Sequence, residues 1–159
     1  MIAKRILTAM ALLAGALSAA SGQTATQTVT FQVDAINQIS FAGSPSLVIN
    51  TATAGSNPAS VTAAATWAVT TNQTGAKITA SINSAMPAGV TLSANLAAPA
   101  AAASAGSQSL TTTSVDLVTG ITKLAQGALS VTYSLSATAA AGVVSSTTRT
   151  VTYTITGGT

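Results

Sequence analysis

The chain has 159 residues but no cysteine and no histidine. Five residues are Lys or Arg, two are Asp or Glu, and aromatics make up 3%. Each shortage excludes something. Histidine is the commonest general base and cysteine the strongest common nucleophile, so a Ser-His-Asp or Cys-His arrangement cannot be assembled. Zinc would lack its nitrogen and sulfur ligands. Disulfides, the staples of small exported domains, are unavailable. The two carboxylates, Asp34 and Asp116, are too few for the oxygen cage that calcium takes. They could form a glycosidase pair only by meeting in one cleft. Lys77 and Lys123 follow Thr74 and Gly120 by three positions, so neither completes an S-x-x-K dyad. No glycine-rich phosphate loop leads into a helix. The expectation is a protein without enzymatic activity, metal or cofactor.

Charge is scarcest of all. Soluble domains carry about 25% charged residues, whereas this chain carries 4%. Two of the cations, Lys4 and Arg5, precede Ile6–Leu17, a twelve-residue apolar run that small residues follow. A basic start, a short apolar stretch and small residues make a secretory signal peptide. The run falls short of the ~20 residues of a spanning helix. The expected boundaries are a signal peptide over 1–22, with cleavage after Ala20 or Gly22, and a single domain over 23–159. Export from a bacterial cell follows, to the periplasm, the cell surface or the medium, with membrane contact only through the signal peptide. The remaining Lys77, Lys123 and Arg149 against Asp34 and Asp116 leave a net charge of +1. Three scattered cations do not make a nucleic-acid-binding face. A nearly neutral surface tends to associate, so copies of the chain or other surface subunits are the expected partners.

What is present is alternation. Apolar side chains recur at every second position in TVTFQV (Val29, Phe31, Val33), ISF (Ile39, Phe41), SLVIN (Leu47, Ile49) and TWAVTT (Trp67, Val69). The pattern continues in KITASIN (Ile78, Ala80, Ile82), VTLSANL (Val90, Leu92, Leu96) and SVDLV (Val115, Leu117). It is cleanest in LSVTYSLS (Leu129, Val131, Tyr133, Leu135) and RTVTYTIT (Val151, Tyr153, Ile155). Period two puts apolar side chains on one face of a strand. Gly43-Ser44-Pro45, Gly55-Ser56-Asn57-Pro58, Asn72–Gly75 and Pro87-Ala88-Gly89 separate the runs. These features predict an all-β fold, an antiparallel β-sandwich of about eight or nine strands. Asn72–Gly75 reads as a hairpin loop, and Pro87-Ala88-Gly89 as a type II turn with proline in its second position. VTYSLS and VTYTIT are expected to pair as neighbours. The stretch 97–106, AAPAAAASAG, reads as an exposed loop, because Pro99 and Gly106 leave too little room for a stable helix.

Trp67 is the only tryptophan. A core plug between two sheets is one reading. The other is a stacking surface for a sugar, in an extracellular module that binds carbohydrate or cell wall. Tyr133 and Tyr153 are expected to lean into the core with their hydroxyls at its edge. The segment Thr28, Val29, Thr30, Phe31, Gln32, Val33 is uncharged and lacks the lysine or proline that usually protects an edge strand. It is the candidate for strand sharing between molecules.

A signal peptide, the early strand TQTVTFQV, a body rich in Thr, Ser and Ala, and the closing strand RTVTYTIT together resemble bacterial secreted β-sandwiches of the fimbrial-subunit and spore-coat kind. The resemblance implies an immunoglobulin-like or pilin-like sandwich and a structural, adhesive or self-assembling role at the cell surface. Subunits exported by a chaperone and usher carry an aromatic residue next to the C-terminus and often a disulfide. Here the last aromatic is Tyr153, and a disulfide is impossible.

Overall fold

The computed structural model describes residues 22–158. The expected signal peptide therefore lies almost wholly outside the described residues. Those that precede Val33, residues 22–32, contain no strand or helix, and the compact unit begins at Val33.

That unit is all-β. Its strands are β1 (Asn37–Ala42), β2 (Val61–Thr71), β3 (Ala76–Ile82), β4 (Val90–Leu96), β5 (Ala103–Ser104), β6 (Gln108–Ser109), β7 (Val115–Ile121), β8 (Leu124–Ala137) and β9 (Val151–Thr156). They form two antiparallel sheets, β1-β2-β8-β4-β6 and β5-β7-β3-β9. The alternation in the sequence becomes alternation in burial. Along β3, Ala76, Ile78, Ala80 and Ile82 are buried and the residues between them are not. Trp67, Val69, Leu92, Ala94, Leu96, Leu117, Ile121, Leu129 and Val131 complete the core from both sheets. Threonine and serine take the outer positions, where a β-branched hydroxyl suits a pleated, solvated surface. The β-sandwich expected from period two is the fold.

Several local expectations change. Asn72–Gly75 is not a hairpin loop, because β2 and β3 lie in different sheets. The turn crosses the sandwich and is held by side chains. The Asn72 amide donates to the Asp34 carbonyl (2.7 Å) and accepts from the Ile36 N–H (2.8 Å). The buried Thr71 hydroxyl donates to Asn37 (2.7 Å) and accepts from the Gln73 N–H (3.0 Å). VTYSLS and VTYTIT do not pair either. They sit on β8 and β9, in opposite sheets, and meet through the core. In the turn before β4, the Val90 N–H donates to the Pro87 carbonyl (3.0 Å). Proline therefore opens the turn, and Gly89 occupies the third position with φ +76°, the left-handed value that a type II turn demands there.

SLVIN forms no strand. Residues 43–60 run irregularly between β1 and β2, with Leu47 packed on the core. The alanine-rich stretch does more than an exposed loop would. Pro99 is buried, Ala98 and Ala102 pack on the core, and β5 pairs with β7 through Ala103↔Thr119. The Ser104 hydroxyl reaches back to the Leu96 carbonyl at 2.7 Å. The chain then returns as β6 to pair with β4. Residues 97–109 thus lace one side of the sandwich shut. Small side chains permit so close an approach of the backbone.

Candidate functional site: the open side of the sandwich

The opposite side, between β1 and β9, is not laced. Among the described residues, β1 pairs only with β2, and β9 only with β3. Both are edge strands of six residues, free of lysine and proline, so neither carries the usual edge protection. Their inward residues Ile39, Phe41, Val151, Tyr153 and Ile155 are only partly buried.

The orientation of the edge backbone can be read from two hydrogen bonds. The Asn83 N–H donates to the Thr150 carbonyl (3.1 Å), which aims Thr150 at β3. Backbone direction alternates along an antiparallel strand, so Thr152, Thr154 and Thr156 also face β3. Val151, Tyr153 and Ile155 turn their N–H and C=O groups outward. By the same argument, the Asn72 N–H donates to Ile36 (3.2 Å), so Asn37, Ile39 and Phe41 turn theirs away from β2. On both edges, the residue that points its side chain inward offers its backbone outward.

An aromatic cluster forms the floor of this side. Phe41 stacks on Tyr153 with ring centroids 3.8 Å apart and an interplanar angle of 15°, and on Trp67 at 6.1 Å and 14°. The Tyr133 and Tyr153 hydroxyls lie 2.6 Å apart, joining the two sheets through the core. Burial, then the bond to Tyr133, then its charge hold the Tyr153 phenol far above the usual tyrosine range. Both tyrosines lean inward as expected, although their hydroxyls meet each other. Trp67 is 2% exposed. It is the core plug, and its ring has no face to offer a sugar. Its indole N–H has no hydrogen-bond partner among the described residues.

The strand-sharing candidate stands outside the sheets. Residues 28–33 form no strand, and Val29, Phe31 and Val33 are 73%, 89% and 76% exposed. Three large apolar side chains at alternate positions of the segment are thus highly exposed.

The remaining polar chemistry is sparse. Lys77 and Asp116 form an exposed ion pair at 3.0 Å across β3 and β7. No cluster of three metal-ligating side chains occurs among the described residues, and no described helix is long and apolar enough to cross a membrane. An open depression of about 380 Å³ at one end is lined by Ile36, Thr70, Thr71, Asn72, Lys123 and Leu124 with Ala125. Lys123 is its single ionisable group. Compared with protein-family models, curated proteins and solved structures, the chain matches none.

Proposed function

We propose that this protein is an exported, non-enzymatic structural subunit of a bacterial surface, which associates with copies of itself by β-strand addition. One observation carries the reading. A segment with strand periodicity, Thr28–Val33, leaves Val29, Phe31 and Val33 in water, while the same chain has two unprotected sheet edges flanking half-buried apolar residues. Strand addition satisfies both needs, because the added strand completes main-chain hydrogen bonds and buries alternate side chains. The near absence of charge removes the long-range repulsion that keeps soluble proteins apart.

Light scattering tests this with two versions of the chain, one beginning at residue 23 and one at residue 34. The longer version should form assemblies whose mass rises with concentration, and the shorter should stay monomeric with an unchanged β-rich circular-dichroism spectrum. Monomers in both cases would refute the reading.

A further inference from the structure

Residues 28–33 have a competing destination inside their own chain. Residues 34–36 separate them from β1, and three residues are a usual length for a hairpin loop. Folded back that way, Val33 would stand opposite Asn37, Phe31 opposite Ile39, Thr30 opposite Ser40 and Val29 opposite Phe41. The apolar positions of both runs would share one face, and the chain would cover the open edge of β1 by itself. The alternation permits this hairpin. Yet residues 28–33 form no strand, and β1 pairs only with β2 among the described residues.

Asn72, the residue after β2, holds the connection open. Its side-chain amide donates to the Asp34 carbonyl (2.7 Å) and accepts from the Ile36 N–H (2.8 Å). Its backbone N–H donates to the Ile36 carbonyl (3.2 Å). The two side-chain bonds straddle Ala35. In an extended chain the C=O of one residue and the N–H two residues on point the same way, and the amide bridges both, in the place of a neighbouring strand. A chain that reverses direction between them does not present them so. The amide is itself held. The Gln73 side chain donates to its oxygen (2.9 Å), and the Gln73 carbonyl accepts from the Lys123 N–H (3.0 Å), in the turn between β7 and β8. Beside it, the Thr71 hydroxyl fixes Asn37, the first residue of β1 (2.7 Å).

We infer that Asn72 is a positioning residue for assembly. It ties residues 34–36 along the end of β2, so that residues 28–33 do not fold back on their own β1 and stay available to a second copy. The inference rests on the self-association proposed above and adds the device that stops a chain from capping its own edge. Closing the hairpin gives up the bonds to Asn72, so the clamp sets the balance between a strand kept at home and a strand donated.

Because the chain has no cysteine, an introduced pair of thiols can report the hairpin. Thr30 and Ser40 are both exposed and stand directly opposite in it. A Thr30→Cys/Ser40→Cys chain beginning at residue 23 is compared with the same chain carrying Asn72→Ala. Both are kept dilute enough to be monomeric, and the rate of intrachain disulfide formation is read on non-reducing gels. The cysteine-free chain and its Asn72→Ala variant are followed by light scattering. Circular dichroism of Asn72→Ala in the version beginning at residue 34 checks that the sandwich folds. Should it fail to fold, Asn72→Asp, which keeps the bond from Ile36 and loses the one to Asp34, is read the same way. Loss of the clamp should speed disulfide formation about tenfold and raise the concentration needed for assembly about tenfold, as when a closed form takes up most of the population. A purely stabilising role would lower the thermal midpoint and leave both readings where they were. Equal disulfide rates with and without Asn72 would overturn the inference, and so would assembly unchanged by Asn72→Ala. Monomers of the natural chain at every concentration would refute the self-association and, with it, a role for Asn72 in assembly. The disulfide rates, measured on monomers, tell that failure from the failure of the clamp.

Discussion

Trp67 contributes to the fold with a flaw built in. Its ring is sealed between the sheets against Phe41, yet its N–H makes no hydrogen bond among the described residues, a condition that costs about 1–3 kcal/mol. Trp67→Ala should lower stability by about 3–5 kcal/mol, as large aromatic truncations in a core do. Trp67→Phe should cost clearly less, because it removes the unbonded N–H along with part of the ring. Urea midpoints of the three proteins decide this. Tyr153 makes a second residue-scale prediction. Its folded pKa is raised, whereas an unfolded tyrosine ionises near pH 10. Below that pH neither state is charged, and the stabilisation is fully present. Above about pH 10 the unfolded chain releases the proton that the folded one holds, so stability falls as pH rises. Denaturant midpoints measured on either side of that pH should drop for the natural chain and drop less for Tyr153→Phe. The Lys77–Asp116 pair contributes little, since both side chains are about half exposed and such pairs are worth about 0–1 kcal/mol.

Among the elements, β8 is the longest strand, and it is irregular. Its pairing with β2 shifts between Trp67↔Leu129 and Val69↔Gln126, so β8 carries one residue more than β2 over the same span. This bulge puts Ala128 at φ +55°, in the left-handed region, which costs a residue with a Cβ about 1–2 kcal/mol. Glycine adopts that conformation freely. Ala128→Gly is therefore expected to be neutral or to raise stability by up to about 1 kcal/mol, against the usual penalty for glycine in a strand. Thermal unfolding of the variant checks the sign. At the end of β9 the opposite holds. A Cβ on Gly158 would run into the Thr74 carbonyl, so a larger residue there would push the chain away from the β2–β3 turn. The two sides of the sandwich also belong to this scale. Two-residue strands β5 and β6 blunt one pair of edges, a recognised way of preventing unwanted pairing. β1 and β9 have no such protection.

For the molecule as a whole, the contrast between a laced and an open side gives the proposed assembly its polarity. One end of the chain donates and one edge receives, so the contact is heterologous and head-to-tail, the geometry that yields open filaments unless the rotation closes a ring. Phe31→Asp should abolish the concentration-dependent mass seen by light scattering, because it sets a charge into a contact built of apolar side chains. It should leave the thermal midpoint of the monomer unchanged, since Phe31 is 89% exposed. A fall in the midpoint together with loss of assembly would mean instead that the segment supports its own sheet.

The β-sandwich, its core residues and the hydroxyl-rich exterior were legible in the sequence, because period two fixes which side chains share a face. The exclusion of His- and Cys-based chemistry needed only a count. The pairing was not legible. VTYSLS and VTYTIT carry the same alternation, yet one lies at the centre of the larger sheet and the other at the edge of the smaller. Alternation states which way a side chain points and is silent on which strand lies beside it. SLVIN alternates and forms no strand, whereas AAPAAAASAG carries no strand signal and closes one side of the core through small residues and a buried proline. Trp67 was readable as core or surface from its strand, and only packing placed it inside. Likewise the open edges of β1 and β9 are written in no single segment. They follow from the division of the nine described strands into five and four, which is decided by long-range contacts that no local pattern encodes.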